Sequence, residues 1–333
     1  MTHDIKFILI GHGIIATTYI EAIAHIPQAE IVGVIGRNEQ RAAEFAKQHR
    51  IPHSGTELEQ VAASSGASAV IVCTPNGLHD LGVKSAARLG LHVLCEKPLH
   101  IDPKLQKQMV EYCEEYCEEH GVVLSVSFMR RFTPHLQWIK SLIDSGQLGQ
   151  IIVADISLKH YRPPSYYQDV WHGTLAIDGG GPFMQQGIHL IDTIQWLCGG
   201  WNEVQSASRY TLLHEIEVED HGYAVVTYNN GAIGSIAAST ACVNMNNERL
   251  EISGTKGSIT ANFDGIIELK TSQQLDIPLF KESELGRTQL FIDLLLDFIQ
   301  AIHTGATPVV SGSSALAATE LVQEIYRIAD MKQ

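Results

Sequence analysis

The chain has 333 residues, more than one compact domain usually holds, which predicts two folded units. Hydrophobic residues make up 45% and charged residues 18%, a balance that fits neither a disordered nor a fibrous chain. The net charge of −14, from 37 acidic and 23 basic side chains, repels nucleic acid and anionic membranes and leaves a small molecule as the expected partner. The cysteines at 73, 95, 113, 117, 198 and 242 form no C-x-x-C pair and no disulfide framework, so they read as reduced thiols of a cytoplasmic protein. The first apolar run, Ile5 to Ile10, is far shorter than the ~20 residues of a membrane span. No metal is expected either. His214 to His221, with Glu215, Glu217, Glu219 and Asp220 between them, reads as a solvated strand edge without a ligand pattern.

In chain order, strands are expected at Lys6 to Ile10, Ile31 to Ile35, Ala69 to Cys73, His92 to Cys95 and Val122 to Val126, alternating with helical patterns. Ile15, Tyr19, Ile23 and Ile26 recur at helical spacing before Pro27 ends the run. Further helices are expected at Glu39 to His49, Leu78 to Leu89 and Pro103 to His120, the last with Asp102 as N-cap and with Cys113 and Cys117 as packing residues. The order predicts a parallel, doubly wound α/β sheet. Beyond about residue 125 the pattern becomes that of an antiparallel sheet. Strands are expected at Ile151 to Lys159, Tyr223 to Tyr228, Ala232 to Ala238, Arg249 to Ser253, Ser258 to Ala261 and Ile266 to Leu269, with Asn229-Asn230-Gly231 as a hairpin turn. Helices are expected at Pro134 to Asp144, Phe183 to Leu197, Gln289 to Ile302 and Ser314 to Ile328. The expected division is residues 1–123 as a dinucleotide-binding domain and 124–333 as an α+β domain for substrate and self-association.

The first strand runs into Gly11-His12-Gly13-Ile14-Ile15-Ala16, a G-x-G-x-x-G/A turn in its strand-to-helix context. Gly11 permits the tight turn, Gly13 admits a pyrophosphate against the backbone, and the free N–H groups of His12 to Ile15 meet its charge. At the end of the second strand an NAD site carries a carboxylate for the ribose diol, but this chain reads Gly36-Arg37-Asn38. Gly36 leaves room and Arg37 can pair with a 2′-phosphate, which tilts the reading toward NADP over NAD. Arg37 can instead stack on adenine or face water.

Cys73-Thr74-Pro75-Asn76-Gly77-Leu78-His79 follows the third strand and Cys95-Glu96-Lys97-Pro98 the fourth. With the glycine turn, Gly146-Gln147-Leu148-Gly149, the run Gly179 to Gly181 leading to His189, and Gly254-Thr255-Lys256-Gly257-Ser258, the chain resembles the Gfo/Idh/MocA family of oxidoreductases over nearly its whole length. The resemblance implies a Rossmann domain followed by a large, mostly antiparallel open sheet, with the active site between them and a homodimer or homotetramer as the assembly. It implies that Lys97 reaches the nicotinamide and the reacting hydroxyl, with Glu96 near the cofactor. It also implies that Thr74, Pro75, Asn76 and His79 line the cofactor side, although Asn76 can equally be a turn residue.

If the segment after the glycines is helical, Gln185, His189 and Asp192 share one face. Hydride transfer from an alcohol needs a base, and the family pattern gives His189 that acid/base role. Many members carry aspartate where this chain has Gln185. A glutamine orients substrate or imidazole but does not stabilise imidazolium, so His189 is a weaker base or Lys97 carries more of the proton transfer. Asp192 is either an electrostatic substitute or a packing residue. Arg130, Arg131, Lys159, His160, Tyr161, Arg162, Tyr167, Trp171 and His172 form a dense cationic and aromatic group, of which Lys159, Trp171 and His172 are expected to line the substrate pocket. These features predict an NAD(P)-dependent dehydrogenase or reductase acting on a secondary alcohol or ketone of a sugar, cyclitol or nucleotide-sugar. The alternatives are a non-catalytic cofactor-sensing regulator and an imine or C=C reductase of the same fold.

Overall fold

The computed structural model describes residues 5–168, 171–272, 275–281 and 283–331, without the side chains of residues 117–119. The packing expectation for Cys117 therefore lies outside the described residues, whereas Cys113 is buried on its helix. The N-terminal part alternates β1 Ile5–Ile10, α1 Ile14–Ile23, β2 Ala29–Ile35, α2 Glu39–His49, β3 His53–Gly55, α3 Leu58–Ser65, β4 Ala69–Val72, α4 His79–Arg88, β5 His92–Cys95, α5 Pro103–His120 and β6 Leu124–Val126. Every strand pair is parallel and the order is β3-β2-β1-β4-β5-β6. Helices on both faces explain why β1 and β4 are near-continuous runs of Ile, Val, Leu and Phe: neither face meets water. The order reverses between β1 and β4, which sets the ligand crevice at the carboxyl ends of these strands. The short pair β3 and α3 escapes the sequence reading because His53-Ser54-Gly55 has no apolar alternation.

The rest comprises α6 Pro134–Asp144, β7 Ile151–Tyr161, α7 Ile188–Leu197, β8 Trp201–Tyr210, β9 His221–Tyr228, β10 Ile233–Ser239, β11 Ala241–Gly254, β12 Gly257–Ala261, β13 Ile266–Thr271, α8 Arg287–Thr304 and α9 Gly312–Asp330. Among the described residues the second sheet runs β13-β12-β11-β7-β10-β9-β8, antiparallel except where β7 meets β10. Asn229 to Gly231 turns β9 into β10, with Gly231 at φ +87° and Asn230 Oδ1 accepting from Ala232 N. The two glycine landmarks interlock, because Thr255 N donates to Gln150 O and Lys256 N to Leu148 O. The polar strand β8 lacked the hydrophobic alternation that marks the others.

Two compact units result: residues 1–132 with 282–315, and residues 133–281 with 316–333. A continuous second domain from residue 124 was expected, whereas α8 packs in the first unit. Its Phe291 meets Tyr19 of α1 edge-on at 5.3 Å and its Phe298 lies 6.3 Å from Phe7 of β1. The helical period of α8 is legible in sequence, but the surface that buries it is not.

Candidate active site

The turn after β1 is built for a dinucleotide. Gly11 sits at φ +103°, and a Cβ there would stand 2.7 Å from the Cys73 carbonyl oxygen, so only glycine fits. At Gly13 a Cβ would meet nothing within 4 Å, leaving open space over the N-terminus of α1. No side chain caps that terminus and no acidic residue lies in its first turn. Ile14 is 90% exposed beside it. Thr74 Oγ1, next to the same turn, is buried with no hydrogen-bond partner among the described residues. Uncapped N–H groups, open space and an unsatisfied hydroxyl together fit a bound pyrophosphate.

The loop carrying Lys97 leaves the carboxyl end of β5 and is held by α1 and α4. Tyr19 O–H donates to the buried Glu96 carboxylate at 2.7 Å and shares a 2.9 Å hydrogen bond with Ser127 Oγ, while Lys97 N donates to the other Glu96 oxygen at 3.1 Å. His79, fully buried at the start of α4, puts Nδ1 2.9 Å from Pro98 O and 3.2 Å from Leu99 O, and Nε2 2.9 Å from Thr74 O. Desolvation holds this imidazole neutral, its pKa pushed down to about 4, against the carbonyls, which favour the charged ring. Asp102 N donates to His100 Nδ1 at 2.9 Å, and His100 Nε2 lies 3.6 Å from Asp80 of α4. Burial pushes the flanking Cys73 and Cys95 thiols up, so they remain protonated packing groups. His79 was expected to line the cofactor side. Its buried ring lies between the Thr74 carbonyl and the Pro98 and Leu99 carbonyls, and as a neutral imidazole it donates to one side.

In the second unit the glycine run packs against Glu219. A Cβ at Gly181 would overlap the Glu219 carbonyl oxygen, and one at Gly180 would overlap the Tyr326 hydroxyl. Glu219 is buried, its carboxyl pushed up by desolvation, and it accepts from Tyr326 O–H at 2.8 Å and Phe183 N at 3.3 Å. The helix expected from Phe183 begins only at Ile188. Gly187 N reaches back five residues to Pro182 O, and a side chain at 187 would stand 2.7 Å from that oxygen, so the turn closes one residue wider than a helix. Gln185 therefore lies outside α7, and its Nε2 donates to Asp178 O at 2.6 Å. His189 is buried in the first turn of α7, and Asp192, fully buried, accepts from Gln195 at 3.4 Å.

Next to this turn the structure gathers an aromatic ladder. Trp171 and His172 stack at 3.6 Å, His172 lies 4.4 Å from Tyr166, Tyr166 meets Tyr167 edge-on at 5.0 Å, and the Arg162 guanidinium stands 5.1 Å over Tyr166. Gln186 Nε2 donates to Tyr166 O–H at 3.4 Å, which joins the ladder to the Gln185 turn. Tyr166 and Gln186 escaped the sequence reading, where each was one polar residue among many.

The remaining residues singled out in the sequence take the following places. A Cβ at Gly187 would stand 3.3 Å from Ala238, which pairs with Leu158, so the start of α7 sits on the Leu158 face of β7. Strand alternation puts Lys159 on the opposite face, among Asp155, Ser157, Tyr223 and Arg249, away from Gln185 and His189. Arg131 is 2% exposed and spends its guanidinium on Val309 O, Ser314 O and Ser314 Oγ. Asn38 caps α2 by accepting from Arg41 N at 2.9 Å. The segment from His214 to His221 is not a solvated edge. Asp220 is fully buried, accepts from the N–H groups of Leu212, Leu213 and His214, and pairs with His214 and His221 at 3.2 and 2.8 Å. Among the described residues no group of three or more His, Cys, Asp or Glu side chains is arranged to hold a metal ion. None of their helices is long and apolar enough to cross a membrane.

Residues 5–128 match the model of the oxidoreductase family with an NAD-binding Rossmann fold, and residues 136–260 match the GFO/IDH/MocA C-terminal domain. The chain belongs to the Gfo/Idh/MocA family of oxidoreductases. Curated relatives include the uncharacterized oxidoreductase YrbE of Bacillus subtilis, 27% identical over 97% of this chain and 94% of its own. Inositol 2-dehydrogenase of Rhizobium meliloti is 26% identical over 99% and 98%. Among solved structures, the WlbA dehydrogenase of Bordetella pertussis in complex with NADH and UDP-GlcNAcA superposes with a TM-score of 0.88 at 29% identity, covering 99% of this chain and 98% of that one. This family member is an NAD-binding dehydrogenase acting on CH–OH groups.

Proposed function

We propose that this dehydrogenase moves hydride between a nicotinamide cofactor and a secondary alcohol or ketone of a polyhydroxylated small molecule: a sugar, cyclitol or nucleotide-sugar. One observation carries the reading. Lys97 stands on a loop anchored to α1 and α4 at the carboxyl end of β5, in the sheet whose first turn is shaped for a pyrophosphate. The relatives support the substrate class: one is named for inositol and another was solved with UDP-GlcNAcA.

The nicotinamide, when bound, accepts or returns the hydride at its C4 carbon. Gly11, His12, Gly13, Ile14 and Ile15 hold the pyrophosphate; Gly36, Arg37 and Asn38 border the adenosine ribose; and Thr74, Pro75, Asn76, Glu96 and Lys97 border the nicotinamide half. His79 supports these from beneath. The Lys97 ammonium binds the reacting oxygen and stabilises the alkoxide character that grows as hydride leaves. His189 exchanges the hydroxyl proton. Gln185, its amide donor committed to Asp178 O, fixes the turn that presents His189. Trp171 and His172 offer flat faces to the C–H surface of a sugar ring. Lys159, on the open sheet face, is withdrawn from this set. The assembly we propose is a homodimer or homotetramer formed over that open face, where Tyr223 and Ile233 are exposed.

Lys97→Met tests the reading. Turnover of sugars or cyclitols should vanish, while the dissociation constant for NADH or NADPH changes by less than about threefold. Wild-type turnover in the variant would overturn the assignment of Lys97, and cofactor binding with no turnover of any polyol by the wild type would favour a regulator.

A further inference from the structure

Just past the end of β7 stands an arginine whose backbone is fixed and whose charge meets no acid. Arg162 N donates to Thr240 O at 2.9 Å, and Arg162 O lies 2.8 Å from Nε2 of the buried His214, whose Nδ1 is 3.2 Å from Asp220. The side chain is half-buried, with its guanidinium 5.1 Å over the Tyr166 ring. Its Nε is shielded from water without a hydrogen-bond partner, and among the described residues no acceptor or carboxylate meets its Nη groups. Asp220 is committed to His214 and His221, and Glu248 lies 3.7 Å from His160. By the alternation that turns Lys159 to the far face, Arg162 follows Leu158 toward the face on which α7 begins. The contacts agree: Tyr166 accepts from Gln186, the neighbour of Gln185, and His172 and Trp171 continue the ladder. A chain of net charge −14 repels anions, so an anionic substrate needs a local cation.

We infer that Arg162 binds a carboxylate of the substrate, which makes the polyol an acidic sugar, a uronate free or within a nucleotide-sugar, rather than a neutral sugar or cyclitol. This rests on the dehydrogenase reading and names the substrate class of its site. A carboxylate accepts from two Nη N–H groups at once, from a guanidinium that Tyr166 supports and that Thr240 and His214 fix at its base, whereas a hydroxyl offers no charge. A diphosphate is the other anion that suits such a donor, and the test separates the two.

Steady-state kinetics of the full-length protein with NAD or NADP compare matched pairs: D-glucuronate with D-glucose, D-galacturonate with D-galactose, and UDP-glucuronate with UDP-glucose, with UDP alone as an inhibitor. The wild type should turn over at least one acid with kcat/KM about tenfold or more above that of its neutral partner, the scale of one charge-assisted pair. Arg162→Gln should erase that preference, raising KM for the acid more than it lowers kcat. Its dissociation constant for the cofactor, read by calorimetry, should stay within about threefold of the wild type and so report a folded variant. Arg162→Lys, which keeps the charge and loses the fork, should recover only part of the preference. Neutral sugars handled as well as their acids, or a preference that survives Arg162→Gln, overturns the inference and leaves the dehydrogenase reading standing. So does an Arg162→Gln loss as large for inhibition by UDP as for UDP-glucuronate, which assigns Arg162 to the diphosphate. If neither acids nor neutral polyols are turned over, the dehydrogenase reading falls and this inference with it.

Discussion

Gly181→Ala probes the construction of the segment that carries Gln185 and His189. The added methyl would overlap the Glu219 carbonyl oxygen and stand 2.8 Å from its carbon and 3.0 Å from the side-chain carboxyl carbon. That backbone has little freedom to give way. The neighbouring Asp220 N donates to Tyr210 O at 3.0 Å, Thr240 N donates to Asp220 O at 2.8 Å, and the Glu219 carboxylate is tied to Tyr326 and Phe183 N. Overpacking by one methyl costs about 1–3 kcal/mol, and a clash with anchored backbone belongs at the upper end, about 3 kcal/mol. For a unit of this size each kcal/mol lowers Tm by about 2–4 °C, so a drop of about 6–12 °C is expected. The assay is direct, because Trp138, Trp171, Trp196 and Trp201 all lie in the second unit and their fluorescence follows its urea unfolding. The midpoint should fall with m unchanged. A change below about 0.5 kcal/mol, the size of an ordinary surface substitution, would refute the close packing of the glycine run on Glu219.

Other outcomes follow from the first unit. His79 is neutral when folded and has a pKa near 6.5 when unfolded, so the unfolded chain binds a proton first as pH falls. The stability this gives is complete above about pH 6.5 and is lost progressively down to about 4, a loss of about 3 kcal/mol. Calorimetric melting of the wild type against His79→Gln from pH 7 to pH 4 should show that difference shrinking, and a pH-independent difference would sink the assignment. Tyr19→Phe removes a charge-assisted donor from buried Glu96 and should cost about 1.5–3 kcal/mol by the same melting measurement. It should also lower turnover more than cofactor affinity, since it loosens the Lys97 loop; equal effects on both would argue for general unfolding. Gly11→Ala, strained at φ +103° and 2.7 Å from the Cys73 oxygen, should abolish calorimetric cofactor binding, and retained binding would contradict the turn geometry.

The sequence by itself determined the parallel sheet, the glycine turn and the place of Lys97, because each is encoded locally. A buried strand is a run of Val and Ile, a pyrophosphate turn needs glycines at fixed spacing, and Glu96-Lys97-Pro98 follows a strand directly. The hairpin at Asn229 to Gly231 was legible for the same reason. What the sequence could not state is which distant group fills a given space. Gly36 looked like open room, and only the fold shows that a Cβ there would stand 2.6 Å from the His12 ring of another loop. His79 looked like a cofactor residue, and only the fold shows its buried ring nitrogens facing carbonyls 5, 19 and 20 positions away. Lys159 sat among aromatic and cationic neighbours in the chain, but strand alternation turned it to the opposite face. Residues 283–315 return to the first unit because α8 needs a buried surface, which β1 and α1 help to offer. Local propensity fixes each element and each turn, whereas packing between residues far apart in the chain decides which side chains face a ligand and which hold the ligand's neighbours in place.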